Sequence, residues 1–310
     1  MREHEYESEA GNRARVKRRF DDDDPRFLKR SKHATPAAFD TNADTDLPDT
    51  GDRWSNWDDA LHGPQPRPDW VVTELAAVDV ELGILKTGKE ADVFLVRRGV
   101  PDTDRSMLLA AKRYREPEHR LFHRDAGYLE GRRVRRSREN RAMEGRTSFG
   151  RQLIAGQWAF AEFTALSRLW EIGRSVGAIS VPYPVQLRGT ELMLEFIGDA
   201  SEGAAAPRLA QLRPSPAQVR ALWEQLVAAL VVLARAGLAH GDLSAYNLLL
   251  DGERLVLIDL PQVVDVVSNP QGPAILARDV RNVAKWFGSR GLDVDVDALA
   301  ADLLADAGVR

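Results

Sequence analysis

The stretch HGDLSAYNLLL, residues 240–250, places a histidine, an aspartate and an asparagine between an apolar segment and three leucines. Asp242 and Asn247 are separated by four residues, and Asp259 follows at the end of the apolar run LVLID. Any one of them alone would be a turn residue that bonds its own backbone. Together, beside two short predicted strands, they supply the oxygen ligands that a hard cation prefers. The stretch therefore predicts a metal site that bridges phosphate oxygens, with Asp242 facing a hydroxyl nucleophile.

A lysine and a glutamate upstream of this loop are candidates for a buried ion pair. Glu162 stands four residues after Trp158 and four before Leu166, so helical spacing puts its carboxylate on a buried face. A carboxylate there is costly unless a cation meets it. Lys112, inside the strand-like run LLAAKRY, is a natural partner. The alternative is that each residue lies at the edge of its element and reaches solvent.

The segment KTGKEADVF, residues 86–94, has the composition of a turn between two strands. Its glycine can let backbone N–H groups approach a phosphate, with Thr87 and Lys89 adding contacts. The segment is neither a Walker A motif nor the G-x-G-x-x-G loop of protein kinases. Taken alone, it indicates no more than a hairpin turn.

The remaining pattern predicts a sheet followed by helices. Hydrophobic spacing and turn residues predict strands within 82–99 and 107–115, a hairpin over 181–197, two short strands within 248–259, and helices over 152–173, 215–237, 274–289 and 295–307. The second helix has the strongest start signal, because Ser215 and Gln218 form a capping box around Pro216.

Composition limits the class and location of the protein. The 310 residues carry a formal net charge of -4 and no cysteine, which excludes disulfides and thiolate metal sites. The charged N-terminus is no secretory signal, and no apolar run approaches the roughly 20 residues that span a bilayer, so we expect a cytoplasmic protein without a membrane partner. Residues 1–68 alternate charge clusters with Pro, Asp, Thr and Gly, which predicts a disordered tail. Residues 114–151 form a long basic insertion, either a solvated loop or a surface for nucleic acid.

The motifs TGKEADVF, HGDLSAYN and IDLPQVVD resemble those of the RIO kinase family, over about residues 70–290. The lysine, glutamate, aspartate, asparagine and aspartate singled out above also occur in the order found in protein kinases. The resemblance implies an α+β, bilobal protein-kinase-like fold. A small antiparallel β-sheet would form the N-lobe over 69–197, and a reduced, mainly helical C-lobe would follow over 198–310. His240 is expected to brace the catalytic loop rather than to react.

The same resemblance implies a role for each motif residue. Lys112 would hold the α- and β-phosphates of ATP and pair with Glu162. Asp242 would orient or deprotonate the acceptor hydroxyl, while Asn247 and Asp259 would hold Mg²⁺. The further residues expected to meet the nucleotide are Thr87, Gly88, Lys89 and Glu90 over the phosphates, and Glu195 and Ile197 at the adenine hinge.

The function that these residues imply is that of an ATP- and Mg²⁺-dependent serine/threonine kinase, including autophosphorylation. One alternative is a small-molecule kinase of the aminoglycoside or choline kinase type, which also uses an HGD…N loop. The long basic insertion and the short C-terminal part count against it. The other alternative is an ATPase switch on a protein that docks to RNA or a ribosomal particle through Arg132–Arg151. The association of the family with maturation of the small ribosomal subunit suggests this second alternative.

Overall fold

The structure, a computed structural model, describes residues 47–115 and 148–309. The strands in these ranges are β1 (Arg53–Trp54), β2 (Leu61–His62), β3 (Val78–Thr87), β4 (Ala91–Gly99), β5 (Ser106–Tyr114), β6 (Pro184–Arg188), β7 (Glu191–Glu195), β8 (Gly198–Asp199), β9 (Ala204–Ala205), β10 (Leu238–Ala239), β11 (Leu248–Asp251), β12 (Arg254–Leu257) and β13 (Val264–Asp265). The α-helices in the same ranges are α1 (Ser148–Val176), α2 (Pro216–Arg235), α3 (Gly272–Gly288) and α4 (Val296–Asp306). Residues 1–46 and 116–147, which hold most of the predicted tail and insertion, lie outside the described residues.

Seven of the described strands form one antiparallel sheet in the order β1-β3-β4-β5-β7-β6-β2. Side chains alternate between its two faces along β5, as strand geometry requires. Leu109 and Ala111 project from one face of the sheet, called the outer face here, where they are buried in a cluster with Trp57. Lys112 projects from the opposite face, where it meets α1. The fold is thus α+β and bilobal, with this sheet preceding the helices α2 to α4, as predicted.

The N-terminal strap, residues 47–77, covers the outer face of the sheet. Its strands β1 and β2 pair with β3 and β6, and Trp57 is only 7% exposed. The prediction of a disordered tail over 1–68 is therefore wrong for residues 47–68. Apolar residues are sparse there and follow no period, so the sequence pattern gives no sign that single side chains are buried against the sheet.

A buried ion pair lies under the strap. Arg98, on β4, is 0% exposed, and its Nε donates to Asp79 Oδ1 at 2.7 Å while its Nη1 donates to Gln186 Oε1 at 2.6 Å. Gln186 Nε2 in turn donates to Asn56 Oδ1 at 2.5 Å. Arg53 Nε lies 3.4 Å from Asp79 Oδ2. Polar side chains of the strap therefore bond to the sheet through groups that are themselves buried.

Replacing Arg98 with methionine is expected to lower the free energy of unfolding by about 3 kcal/mol, because removing one partner of a buried pair strands the other. Asp79 would keep only the longer contact from Arg53. The matched control is Arg97→Met, since Arg97 is exposed on the same strand, and a change within about 0.5 kcal/mol is expected there. Urea denaturation followed by tryptophan fluorescence measures both variants. Equal destabilisation of the two would contradict this account of the pair.

The helices of the C-terminal half follow the predicted pattern. Ser215 Oγ accepts from Gln218 N, and Gln218 Oε1 accepts from Ser215 N, so the predicted capping box is present. Gly237 follows α2 with a φ of 72°, a left-handed conformation that suits glycine. By length and composition α2 is apolar enough to cross a bilayer, but its apolar face is buried in the protein. The residues of that face are Val219, Leu222, Leu226, Leu230 and Leu233.

The predicted basic insertion, 114–151, is wrong at both ends. Tyr114 belongs to β5, is 5% exposed and packs edge-to-face against Trp158 with ring centroids 6.5 Å apart. At the other end, α1 begins at Ser148 rather than at the predicted residue 152. Tyr114 thus belongs to the strand predicted within 107–115 and not to the insertion, and its ring is part of the core.

Candidate active site

Lys112 lies between two carboxylates. It projects from β5, and its Nζ is 2.8 Å from Glu162 Oε2 on α1 and 2.7 Å from Asp259 Oδ1, just beyond β12. Lys112 is 8% exposed and Glu162 0% exposed. The two residues are thus paired and buried, and the alternative in which each reaches solvent separately does not hold. Strand, helix and the segment after β12 meet at this one ammonium group.

Contact between Lys112 and Asp259 shifts the pKa of both groups. Burial opposes the charge of Lys112, but the carboxylates of Asp259 and Glu162 outweigh burial and raise the lysine pKa above its ordinary value. Burial also works against ionised Asp259, yet the ion pair with Lys112 lowers its pKa to about 2. At neutral pH the site therefore presents one ammonium group and an ionised Asp259, which are the charge states that phosphate and metal binding require.

Glu162 has further donors that sequence reasoning missed. The hydroxyl of Tyr114 donates to Glu162 Oε2, and the backbone N–H of Leu260 donates to Glu162 Oε1 at 3.0 Å. The ring of Tyr114 also lies 5.1 Å from Lys112 Nζ, within the range of a cation–π interaction. Tyr114 follows Lys112 by two residues on one strand, so alternation alone places both on one face. Glu162 thereby ties the lysine strand to the backbone that follows Asp259.

Tyr114→Phe is expected to lower kcat about tenfold, because it removes a buried hydrogen bond to a carboxylate, a contribution of about 1.5 kcal/mol or more. The substitution keeps the ring beside Lys112. Tyr183→Phe is the matched control: it removes a hydroxyl that donates to Pro64 O, in the strap, at 3.1 Å. Kinetics and thermal unfolding should be measured for both variants. A kcat loss in the Tyr183 variant as large as that in the Tyr114 variant would argue against a positioning role for Tyr114.

The loop that bears Asp242 and Asn247 follows β10 and ends in the 3₁₀ turn Ala245–Asn247. His240, at its start, is 1% exposed, and its Nε2 lies 3.1 Å from the carbonyl oxygen of Ile258. The backbone N–H of Asp242 points to His240 Nδ1 at 3.4 Å. In this arrangement the ring donates from Nε2 to the carbonyl and accepts at Nδ1 from the backbone. His240 thus bridges the loop and the residue before Asp259, the position expected of a brace.

Asp279, on α3, clamps the same loop and was missed by the sequence analysis. Its Oδ2 accepts from Gly241 N at 2.7 Å and its Oδ1 from Leu243 N at 3.2 Å, while the side chain is 2% exposed. Burial raises its pKa even though both N–H groups favour the ionised form. The sequence does contain an indication of this role, because Asp279 shares the buried face of an amphipathic helix with Val280 and Val283. A carboxylate on an apolar helix face is the same anomaly that identified Glu162.

Asn247 and Asp259 fit a hard cation by the chemistry of their donors. Asn247 Nδ2 donates to Asp242 O at 2.8 Å, so the side-chain atom that would bind a cation is Oδ1. Asp259 contributes a carboxylate and has a φ of 66°, rare for a residue other than glycine. Within residues 47–115 and 148–309 no three acidic, histidine or cysteine side chains lie together as a set of metal ligands. Two protein oxygens suit Mg²⁺, which usually keeps waters and takes phosphate oxygens as its other ligands.

Asp242 remains in contact with solvent at the surface of the loop. Atoms packed around its carboxylate raise its pKa, and the nearby carboxylates of Asp259 and Asp279 act in the same direction. A carboxylate that is accessible and whose pKa is raised is a better proton acceptor than an ordinary aspartate. Its backbone is held from both sides, by His240 and by Asn247.

The predicted phosphate turn joins β3 to β4. Gly88 N donates to Ala91 O at 3.0 Å, and a Cβ at residue 88 would lie 2.9 Å from that oxygen, so this position requires glycine. Thr87 ends β3 exposed, opposite Asp92. Lys89 is exposed, and the carbonyl of Glu90 accepts from Arg115 N at 2.8 Å. These residues form the short turn between the ends of β3 and β4.

The predicted hinge residues lie where β7 leaves the sheet. Glu195 N donates to Tyr183 O at 2.9 Å, and Tyr183 N donates to Glu195 Oε2 at 3.0 Å, so the glutamate side chain has a structural role of its own. Ile197 is 6% exposed, and its carbonyl accepts from Ala206 N at 2.9 Å. It packs in a small apolar cluster that includes Val256. An adenine contact at Ile197 would therefore fall to its N–H group rather than its carbonyl.

Comparison with known proteins identifies relatives for this arrangement. Residues 111–299 match the family model described as the RIO domain. The RIO-type serine/threonine-protein kinase Rio1 of Haloferax volcanii is 34% identical over 232 residues, which cover 74% of this chain and 71% of that protein. The serine/threonine-protein kinase RIO1 of Saccharomyces cerevisiae is 26% identical over 229 residues, 68% of this chain and 45% of the yeast protein. The chain thus spans less than half of that longer relative.

A solved structure supports the fold. The Rio2 kinase of Chaetomium thermophilum, in a complex with ADP, Mg²⁺ and phosphoaspartate, superposes with a TM-score of 0.50 over 74% of this chain and 67% of that chain. The two sequences are 19% identical in this alignment, so the likeness concerns the fold alone.

Proposed function

Since this chain belongs to the RIO domain family, we propose that it is an ATP- and Mg²⁺-dependent serine/threonine protein kinase. The observation that carries the proposal is the contact of Lys112 with both Glu162 and Asp259, next to the loop that bears Asp242 and Asn247. Phosphoryl transfer needs little covalent chemistry from the protein, and its catalysis is mostly positioning and charge stabilisation. The named relatives are serine/threonine-protein kinases, which favours a protein hydroxyl over a small-molecule acceptor.

Each residue of the site then has a definite task. Lys112, held cationic, binds the α- and β-phosphates, while Glu162 keeps its ammonium group in place. Asn247 Oδ1 and the Asp259 carboxylate hold Mg²⁺, which neutralises phosphate charge when it is bound. Asp242 orients the acceptor hydroxyl and takes its proton as the new P–O bond forms and the bond to the ADP oxygen breaks. The clamp from Asp279 keeps the backbone of Asp242 from shifting.

The test is incubation of the purified chain with γ-labelled ATP and Mg²⁺, with and without a general acceptor protein. Acid-stable label on serine or threonine is expected, and no label should form when EDTA is present from the start of the reaction. A full-length chain with Asp306→Ala is a suitable control, because Asp306 pairs with Arg235 on the surface. If no label reaches protein and no phosphate is released from ATP, the kinase proposal is wrong.

A second candidate function is ATP hydrolysis through an aspartyl phosphate. The solved Chaetomium thermophilum relative contains phosphoaspartate together with ADP and Mg²⁺, and this site offers two aspartates, Asp242 and Asp259. In the labelling experiment, an acyl phosphate is distinguished by release of the label with hydroxylamine, which leaves serine and threonine phosphates intact. Hydroxylamine-labile label together with steady phosphate release would favour the ATPase over the kinase.

We further propose that the protein acts in the cytoplasm and that the arginine-rich stretch Arg132–Arg151 allows it to associate there with RNA or a ribosomal particle. Composition alone supports this part of the proposal, since residues 116–147 lie outside the described residues. Binding through phosphate contacts would weaken steeply as salt rises. RNA binding that is no stronger at about 50 mM than at about 500 mM salt would refute it.

A further inference from the structure

Strand β3 contains an irregularity just before the phosphate turn. Ile84 pairs with Phe94, but Lys86 pairs with Val93, so two steps along β3 correspond to one step along β4. This is a β-bulge with Leu85 as the extra residue. Residues two apart on a regular strand share a face, whereas the bulge turns Lys86 to the face opposite Ile84.

The bulge places Lys86 on the cleft face of the sheet. Lys86 pairs with Val93, and Val93 pairs with Lys112, so the three side chains form one row across β3, β4 and β5. Directly opposed residues of antiparallel strands project on the same side. Two strand spacings separate the backbones of the two lysines, roughly 10 Å. Lys86 is half-buried, while Ile84, on the other face, is 59% exposed.

The row that holds Lys86 ends beside the aspartate proposed to bind Mg²⁺. Lys112, the last residue of this row, has its Nζ 2.7 Å from Asp259 Oδ1. Asp259 therefore lies against the sheet face from which both lysines project. A nucleotide whose phosphates lie beside Asp259 and Lys112 would also lie beside Lys86.

We propose that Lys86 is a second phosphate-binding lysine of the cleft, which contacts the terminal phosphates of the nucleotide that Lys112 holds at its α- and β-phosphates. This inference rests on the proposed ATP-binding function. Lys86 immediately precedes the turn at residues 87–90, which is expected to cover the phosphates. Its side chain would therefore approach the phosphate chain of the nucleotide from the end of β3, on the side of the terminal phosphates. Its ammonium group selects nucleotides by the length of their phosphate chain, since AMP carries no phosphate at that position.

The experiment measures binding of ATP and of AMP, each with Mg²⁺, to the full chain by titration calorimetry. Lys86→Met is expected to weaken ATP binding about tenfold, as expected for loss of a charge-assisted hydrogen bond, and to leave AMP binding within about twofold of the original. Lys86→Arg should restore most of the ATP affinity. The matched control is Arg97→Met, which removes a positive charge from the same face of the sheet about 13 Å further along β4 and should leave both affinities unchanged.

Each of the other possible results of the binding experiment would contradict a specific part of the proposal. Unchanged or tighter ATP binding by Lys86→Met would mean that Lys86 only offsets the charge of Asp259 and does not touch phosphate. Equal weakening of ATP and AMP would mean that the residue acts through the shape of the turn. If the unaltered protein binds neither nucleotide, the proposed function itself fails and this inference falls with it. Binding by the unaltered protein together with loss in Lys86→Met alone supports both.

Discussion

Asp259→Ala is expected to abolish phosphoryl transfer, with a fall in kcat of about 10³-fold or more. Metal ions that stabilise transferring phosphate contribute several kcal/mol, and each 1.4 kcal/mol is tenfold in rate. Asp259 is the one carboxylate in the proposed Mg²⁺ pair, because Asn247 supplies only an amide oxygen. The alanine variant also leaves Lys112 with Glu162 as its remaining carboxylate partner. The measurement is transfer of label from γ-labelled ATP across a range of Mg²⁺ concentrations.

The controls for Asp259→Ala separate chemistry from folding. Asp259 is half-buried and bonds to Lys112 rather than to the core, so thermal unfolding is expected to remain cooperative. Asp306→Ala removes a surface carboxylate on α4 and should retain full activity. If Asp259→Ala transfers phosphate at more than about a tenth of the original rate, the metal site lies elsewhere in the protein.

The candidate site was largely predictable because its residues violate local rules. Glu162 is a carboxylate on an apolar helix face, and the loop at 240–250 interrupts a core-like run, so each is conspicuous without any knowledge of its partner. Asp279 breaks the same rule on α3 and could have been found in the same way. Tyr114 obeys every rule of a strand residue, and only its contact with Glu162 reveals its role.

Other features depend on contacts that no local pattern encodes. Period-two alternation would put Lys86 on the face of Ile84, and the bulge at Leu85 reverses that assignment. The N-terminal strap is ordered by scattered side chains such as Trp57 and Asn56, each of which meets a partner distant in sequence. A composition typical of disorder therefore does not exclude order where a sheet face offers buried polar partners.

Asp242→Asn is expected to lower kcat by about 10²- to 10⁴-fold, the usual contribution of a positioned general base, and to leave the affinity for ATP unchanged. Asparagine has the same shape but cannot take the proton of the acceptor hydroxyl. The backbone contacts with His240 and Asn247 do not involve the substituted atoms, so the loop should keep its conformation. Steady-state kinetics and calorimetric ATP binding separate the two parameters.

The result also distinguishes the two candidate reactions. A base that serves a serine or threonine hydroxyl is needed for protein phosphorylation, whereas capture of phosphate by an aspartate needs no proton transfer from a hydroxyl nucleophile. Loss of serine and threonine labelling in Asp242→Asn, with hydroxylamine-labile label retained, would assign the acyl phosphate to Asp259. If the variant still binds ATP but forms neither the serine and threonine label nor the hydroxylamine-labile label, Asp242 takes part in a step that comes before both products. Undiminished labelling of serine and threonine would show that Asp242 is not the base, and its raised pKa would then reflect only its crowded position beside Asp259 and Asp279.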